Sequence, residues 1–233
     1  PFQVDLLIQP LCESSAIDCS TNLSLLWNFV IKISNTLINY DFAISEMQKR
    51  IIKIKSNTDN ELIWLLEHSS IFTAGTSAKD EDLINNQVET RRTGRGGEWT
   101  WHGPGQRVVY VMLNLKKRLP DVKAYVNALE EWIILTLEDF DIHGVRLENK
   151  PGVWVINKDN SYDKIAALGV RISSWVSWHG ISINVNPNLE EFKNIVPCGI
   201  QDGGVTSLYN LENISSFEHL DNNLSKNFTK VFG

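Results

Sequence analysis

Two periodicities alternate along this chain at uneven intervals, and they restrict it to a sheet with helices packed on its faces. Runs rich in Val and Ile, bounded by Gly, Pro or Asn, occur at 62–67, 107–113, 153–156, 165–172 and 181–185 and predict strands. Between them lie stripes with the 3–4 spacing of an amphipathic helix. One spans 40–54, with Tyr40, Ala43, Ile44, Met47, Ile51 and Ile54 on a face. A second runs from about 121 to 140, opened by Pro120 and Asp121 and carrying Val122, Val126, Leu129, Trp132, Ile133 and Leu137. A third keeps Phe217, Leu220, Leu224, Phe228 and Val231 in register. These stripes read as core faces rather than ligand surfaces. Strands and helices so interleaved predict an α/β (α+β) fold, a mixed β-sheet flanked by helices.

The balance of residues excludes several classes of function. A chain of 233 residues that is 42% hydrophobic can bury a sizeable core, which argues against disorder. Its net charge of −6 argues against a nucleic-acid binder. No apolar run is long enough to span a bilayer, and the first 20 residues show no basic stretch leading into an apolar one, so neither a membrane protein nor a secreted one is expected. Cys12, Cys19 and Cys198 cannot all pair within the chain, which fits a reducing compartment. The sequons at Asn22, Asn213, Asn223 and Asn227 read as chance in an Asn-rich sequence. Charge is nonetheless uneven. Arg91, Arg92, Arg95, Arg107, Lys116, Lys117 and Arg118 face a single nearby acid, Glu98. Solvated surface charge is the simpler reading; a docking patch for an acidic partner is the sharper one.

Two segments carry more glycine and more chemistry than folding requires. Residues 94–106 hold five glycines and a proline among Arg95, two tryptophans and His102, and read as a loop; residues 196–208 place Cys198 between Pro197 and Gly199. The first is no dinucleotide fingerprint, since its third glycine would fall at Trp99, and no Gly-Lys-Ser/Thr follows to make a phosphate loop. Metal-ligand spacings are absent, and no cofactor is expected.

Nucleophilic chemistry is what remains. A cysteine taken alone is more often a small buried apolar group. Next to Gly199, however, Cys198 has room for a substrate carbonyl and a backbone N–H that would face an oxyanion. A cation nearby would favour its thiolate. Lys164 opens an apolar strand; it is either a solvated strand-end lysine or, facing a cleft, a base and ion-pair partner for a thiol. His102 and His179, each in a Trp-His-Gly triplet, are either structural histidines or walls of the site. The local signature of papain-like proteases is missing.

These segments resemble one family. Arg95-Gly-Gly-x-x-Thr-Trp-His102-Gly-Pro-Gly-Gln106 is similar to the signature loop of lipoyl(octanoyl) transferases, and Leu66-Glu67-His68 followed by Thr73-Ala-Gly75 is similar to another of their blocks. The same holds for Lys150-Pro-Gly-Val-Trp-Val155, Lys164-Ile-Ala-Ala-Leu-Gly-Val-Arg171, Trp178-His-Gly180 leading into Ile183-Asn-Val, and Ile195-Val-Pro-Cys-Gly-Ile200 before Val205-Thr-Ser-Leu208. The blocks run in order from about Tyr40 to Leu208. Glu98 stands where glutamine is common, and Arg107 where an apolar residue is usual.

The resemblance implies a fold shared with the catalytic domains of lipoate and biotin protein ligases, including a small subdomain. It implies one catalytic domain over 40–233, preceded by a weakly matched segment at 1–39. It also implies a reaction: octanoate passes from octanoyl-acyl carrier protein to a cysteine thioester and then to a lysine of a lipoyl domain, in 2-oxoacid dehydrogenase complexes and the glycine cleavage H protein. Carried over, the thioester cysteine is Cys198, and Lys164 is the lysine that lowers its pKa. The acyl site is implied at Arg95, Gly96, Gly97, Glu98, Trp99, Thr100, Trp101 and His102, with Ala167, Leu168 and Gly169, with Gly180, Ile181 and Ser182, and with Tyr110. A cytoplasmic location is implied, with no nucleic acid, membrane or metal. The rivals are an ATP-dependent lipoate or biotin ligase and a non-catalytic module that binds an acyl chain or its carrier.

Overall fold

The computed structural model describes the backbone of residues 5–8 together with residues 29–118, 120–157, 159–196 and 203–233. Among these, a nine-stranded mixed sheet forms the frame. It contains β1 (Asp5–Ile8), β2 (Phe29–Ile38), β3 (Glu61–His68), β7 (Gln106–Met112), β8 (Gly144–Leu147), β9 (Lys150–Ile156), β10 (Tyr162–Ser173), β11 (Val176–Asn184) and β12 (Gly204–Val205). The spatial order is β1-β2-β3-β7-β11-β10-β9-β8, with β12 beside β10. Only the β2–β3 and β10–β12 pairs are parallel; the rest are antiparallel. A separate three-stranded sheet joins β5 (Thr90–Arg92), β4 (Ile71–Ala74) and β6 (Trp99–His102). It supplies the small subdomain.

Helices cover both faces of the main sheet, which is why its central strands read as unbroken apolar runs. Along β3 and β7, Ile63, Leu65, Val109 and Val111 point to one face. There they meet α2 (Val122–Glu138) and α4 (Phe217–Phe232). Leu62, Trp64, Leu66, Val108, Tyr110 and Met112 point to the other face, against α1 (Tyr40–Lys55). The helices begin where their caps dictate. Asn39 accepts from the Phe42 N–H, Asp121 from Lys123 and Ala124, and Ser216 from His219. The indole of Trp132 donates to the Leu224 carbonyl at 2.8 Å and ties α2 to α4.

The five strands and three helices expected from periodicity are all present, within a few residues of their ends. The sheet also begins earlier than the patterning indicates. Strand β2 lies before Tyr40, where Lys32, Asn35 and Thr36 dilute the apolar alternation. One segment differs in kind. The glycine-rich stretch 94–106, expected to be loop throughout, carries β6 at its centre, paired in register with β4 from Ile71↔His102 to Ala74↔Trp99. Glycines on both sides mask so short a strand.

A bulge in β10 decides the geometry that follows. Between Lys164 and Ala166 the register against β9 shifts by one residue. Ile165 and Ala166 consequently both face the α2–α4 core. Lys164 is thereby put on the opposite face, in phase with Ala167 and Gly169.

Candidate active site

On the α1 side of the sheet, where β10, β11 and β7 meet the subdomain, lies a pocket of about 490 Å³ counted out to its mouth. Strand pairing brings its walls together. Gly169, Gly180 and Tyr110 stand side by side on three strands, and Ala167, Ser182 and Val108 form the next row. Glycine at 169 lets the subdomain loop close onto the sheet, since a Cβ there would fall 3.1 Å from the Gly96 carbonyl oxygen and 3.1 Å from Arg95 Cδ. The opposite wall comes from the subdomain, through Arg95, Gly97, Glu98, Trp99, Thr100 and His102; Tyr40 of α1, Leu168, Ile181 and His179 complete the lining.

The subdomain wall is fixed by Arg95. One nitrogen, Nη2, donates to the Thr73 carbonyl at 2.7 Å, to Thr73 Oγ1 at 2.9 Å and to the Glu98 carbonyl at 2.9 Å, while Nη1 reaches the Gly96 carbonyl at 3.0 Å. A planar fork suits this task in a way a lysine cannot. The loop is stitched to the sheet by the Gly96 N–H, which donates to the Val170 carbonyl at 2.9 Å. Gly75 lets the chain pass close by, since a Cβ there would fall 2.1 Å from the Gly97 carbonyl oxygen.

The imidazoles and phenols around the pocket are held uncharged. His68 packs behind Tyr110. Its Nδ1 faces the Ile38 carbonyl at 2.6 Å, which can only accept, so Nε2 accepts from the Tyr110 hydroxyl at 2.7 Å. Burial pushes this imidazole down to about 4. His102 is pushed down to about 3, chiefly by burial and then by the nearby imidazole of His68; His179 reaches about 3 by burial and the positive charge of Arg95. Burial raises Tyr40 to about 12 and lifts Tyr110 as well. A wall of neutral imidazoles and phenols suits an apolar occupant.

From His102 a directional chain of hydrogen bonds runs out of the pocket. Its Nδ1 donates to Gln106 Oε1 at 2.7 Å, Gln106 Nε2 to Asn184 Oδ1 at 2.9 Å, and Asn184 Nδ2 to the Thr206 carbonyl at 2.9 Å. The Thr206 N–H in turn donates to the Lys164 carbonyl at 3.0 Å, and β12 pairs Gly204 and Val205 with Asp163 and Lys164. Lys164 is buried. It lines a second, more open groove of about 850 Å³ with Ser77, Lys150, Leu168 and Gly169, and this groove shares Gly97, Glu98, Leu168 and Gly169 with the pocket.

Thus Arg95, Gly97, Glu98, Trp99, Thr100, His102, Tyr110, Ala167, Leu168, Gly169, Gly180, Ile181 and Ser182 border one pocket, and Lys164 stands in the groove beside it. Gly96 lines the groove rather than the pocket. Trp101 lines neither: its ring packs edge-on against Phe192 in the subdomain core, and its indole donates to Ser70 at 2.9 Å. Alternation along β6 turns it away from His102. Cys198 lies outside the described residues. Tyr40 and His179 also line the pocket. Tyr40 reads in sequence only as part of a helical stripe, because a helix-opening aromatic carries no sign of which neighbour it meets.

Most of the basic run from Arg91 to Arg118 is engaged within the chain. Arg107 is buried against Asp221 at 2.8 Å and Arg118 against Glu61 at 2.8 Å; Arg91 pairs with Asp41 and Glu89, and Arg92 with Asp80. Of the seven cations, Lys116 and Lys117 remain exposed with no partner shown. The apolar residue expected at Arg107 is thus replaced by a buried ion pair to α4.

The lipoyl protein ligase A/B catalytic domain model matches residues 39–229, which takes in the smaller sheet, the main sheet from β3 onward and the pocket. The chain belongs to this family. Among its relatives is the octanoyltransferase of Bartonella tribocorum, 49% identical over 87% of this chain and 86% of that protein. That of Rhodopseudomonas palustris is 50% identical over 86% of this chain and 81% of that one. The same fold is seen in a bipartite lipoate protein ligase from Thermoplasma acidophilum, with TM-score 0.63 and 14% identity, covering 84% of this chain and 81% of that one. It recurs in a lipoate-protein ligase A bound with ATP, with TM-score 0.62 and 15% identity, covering 85% and 84%. The mixed sheet with flanking helices is the lipoyl ligase architecture. No helix among the described residues is long and apolar enough to cross a membrane.

Proposed function

We propose that this chain is an octanoyltransferase of protein lipoylation. It takes an octanoyl group from octanoyl-acyl carrier protein, holds it as a thioester on Cys198 and passes it to a lysine of a lipoyl domain. Acceptors are lipoyl domains of 2-oxoacid dehydrogenase complexes and the glycine cleavage H protein. The observation that carries this reading is the pocket walled by neutral imidazoles and phenols, roofed by Arg95 to His102 and continuous with the groove in which Lys164 stands.

The Cys198 thiolate attacks the carrier's thioester carbonyl, and the carrier thiol leaves. The amine of the acceptor lysine then attacks the enzyme thioester, an amide forms, and the Cys198 sulfur departs. Exchange of one thioester for another is close to isoenergetic and amide formation is downhill, so no nucleotide is consumed. The Lys164 ammonium beside the sulfur favours the thiolate, gives its proton to the departing carrier sulfur, and as the resulting amine takes a proton from the incoming lysine, which restores the starting ion pair. Burial of the acyl chain contributes about 0.8 kcal/mol per CH₂ and positions the carbonyl. Support for the reading comes from the described residues that flank 197–202. Val196 bonds to the Asp82 carbonyl, while Val205 lies beside Lys164. A reactive free thiol fits a cytoplasmic setting.

The test is incubation with octanoyl carrier protein and a lipoyl domain, with and without ATP, read by intact mass. Octanoylation of the domain without ATP, lost in Cys198→Ala, is expected. Modification only with ATP would make the protein a ligase, and an octanoyl adduct undiminished in Cys198→Ala would refute the nucleophile.

A further inference from the structure

Lys164 is held by the strand opposite it. In the β9–β10 register its partner is Trp154, and its ammonium lies 4.5 Å from the centroid of that indole. The ring is fixed in turn: it is buried, and Nε1 donates to the Lys150 carbonyl at 3.1 Å. Two residues earlier, Gly152 lets β9 approach the bulge of β10: a Cβ there would sit 2.6 Å from the Ala166 carbonyl oxygen, at a φ of +124°. The Gly152 N–H donates to Glu130 Oε1 at 3.0 Å, and that carboxylate is held by Arg146 at 3.4 Å.

We propose that Trp154 is a positioning residue for Lys164, a π-face that holds its ammonium at the groove. The inference rests on the reading of Lys164 as the group beside Cys198. A lysine stem has many rotamers, and a buried ammonium needs a partner. An indole face attracts the cation but offers no proton acceptor. A carboxylate in its place would form a tight ion pair and compete with the Cys198 thiolate for the same charge. The β10 bulge sets the face on which Lys164 emerges, and Trp154 sets where along that face its nitrogen lies.

The experiment compares Trp154→Met, which keeps apolar bulk without a π-face, with Trp154→Tyr, which keeps one. For each, and for Lys164→Ala, three quantities are measured: transfer turnover, KM for octanoyl carrier protein, and the iodoacetamide alkylation rate of Cys198 followed by peptide mass. Losing a desolvated cation–π contact corresponds to a roughly tenfold effect. Trp154→Met is therefore expected to lower turnover and Cys198 alkylation about tenfold each with KM nearly unchanged, and Trp154→Tyr to retain most of both. Wild-type values in Trp154→Met, alongside loss of both in Lys164→Ala, would overturn the cradle and leave the role of Lys164 standing. Retention of both in Lys164→Ala would overturn that role instead. A measurement on the unmodified chain guards against misfolding of the variants: the Lys164 ε-methylene protons should resonate upfield of ordinary lysines through the Trp154 ring current, and unshifted resonances would refute the contact.

Discussion

Three imidazoles kept neutral inside one protein make its stability depend on acidity in a calculable way. His68, His102 and His179 have their pKa values lowered from 6.5 to about 4, 3 and 3. The unfolded chain therefore binds more protons than the folded one between these values, and stability falls as pH drops through 6.5 toward 4. At pH 7 the three cost about 0.5 kcal/mol together, whereas at pH 5 each costs about 2 kcal/mol, so acidification removes roughly 5–6 kcal/mol. That loss rivals the total stability of an ordinary domain, about 5–15 kcal/mol. The assay is urea unfolding at pH 7 and pH 5. His179→Asn provides the control: asparagine tolerates the left-handed backbone at this position (φ 59°), and His179 Nε2 has no hydrogen-bond partner among the described residues. The variant should lose about a third of the pH sensitivity, roughly 2 kcal/mol. Equal stability of the parent at the two pH values, or imidazoles that titrate near 6.5 by NMR, would refute the reasoning.

Other variants probe the frame and the pocket. Arg107 and Asp221 form a buried pair at 2.8 Å, so Arg107→Leu or Asp221→Leu alone should cost about 3–5 kcal/mol, while the double change should be near neutral; additive losses in denaturant titration would contradict this. Arg95→Lys, which cannot reproduce the four bonds to Thr73, Gly96 and Glu98, should destabilise the chain by about 2–4 kcal/mol and raise the KM for octanoyl carrier protein. Ala167→Leu fills the pocket beside Ser182 and should shift preference toward shorter acyl chains by roughly tenfold per lost methylene or two, measured as the kcat/KM ratio for octanoyl against butanoyl carrier protein.

The core strands and the three long helices were legible because both faces of the sheet are covered, which leaves period and hydrophobicity undiluted at Ile63, Val109 and Leu129. Strand β6 was not, because its four residues sit between glycines and owe their pairing to β4 rather than to local pattern. Many residues that line the pocket fall within the motif blocks, though Trp101 and Gly96 do not line it and Tyr40 went unseen, and its construction was not legible. Nothing in the spacing of Lys164 and Ala166 announces a bulge, and that one extra residue selects the face on which the lysine emerges. Arg95 reads as a basic residue of the acyl-site loop, with no sign that four bonds from its guanidinium hold that loop in place. The same blindness applies to Arg107 and Arg118, whose partners Asp221 and Glu61 are remote in sequence.

A covalent intermediate on one sulfur is the centre of this account, and trapping it is the most direct test. The protein would be mixed with octanoyl carrier protein in the absence of acceptor, quenched in acid, digested and mapped by mass. The account predicts a single octanoyl group on the peptide containing Cys198, removed by hydroxylamine and discharged when a lipoyl domain is added. An octanoyl group on Lys164 or on Cys12 or Cys19, or no adduct while transfer proceeds at full rate, would contradict it.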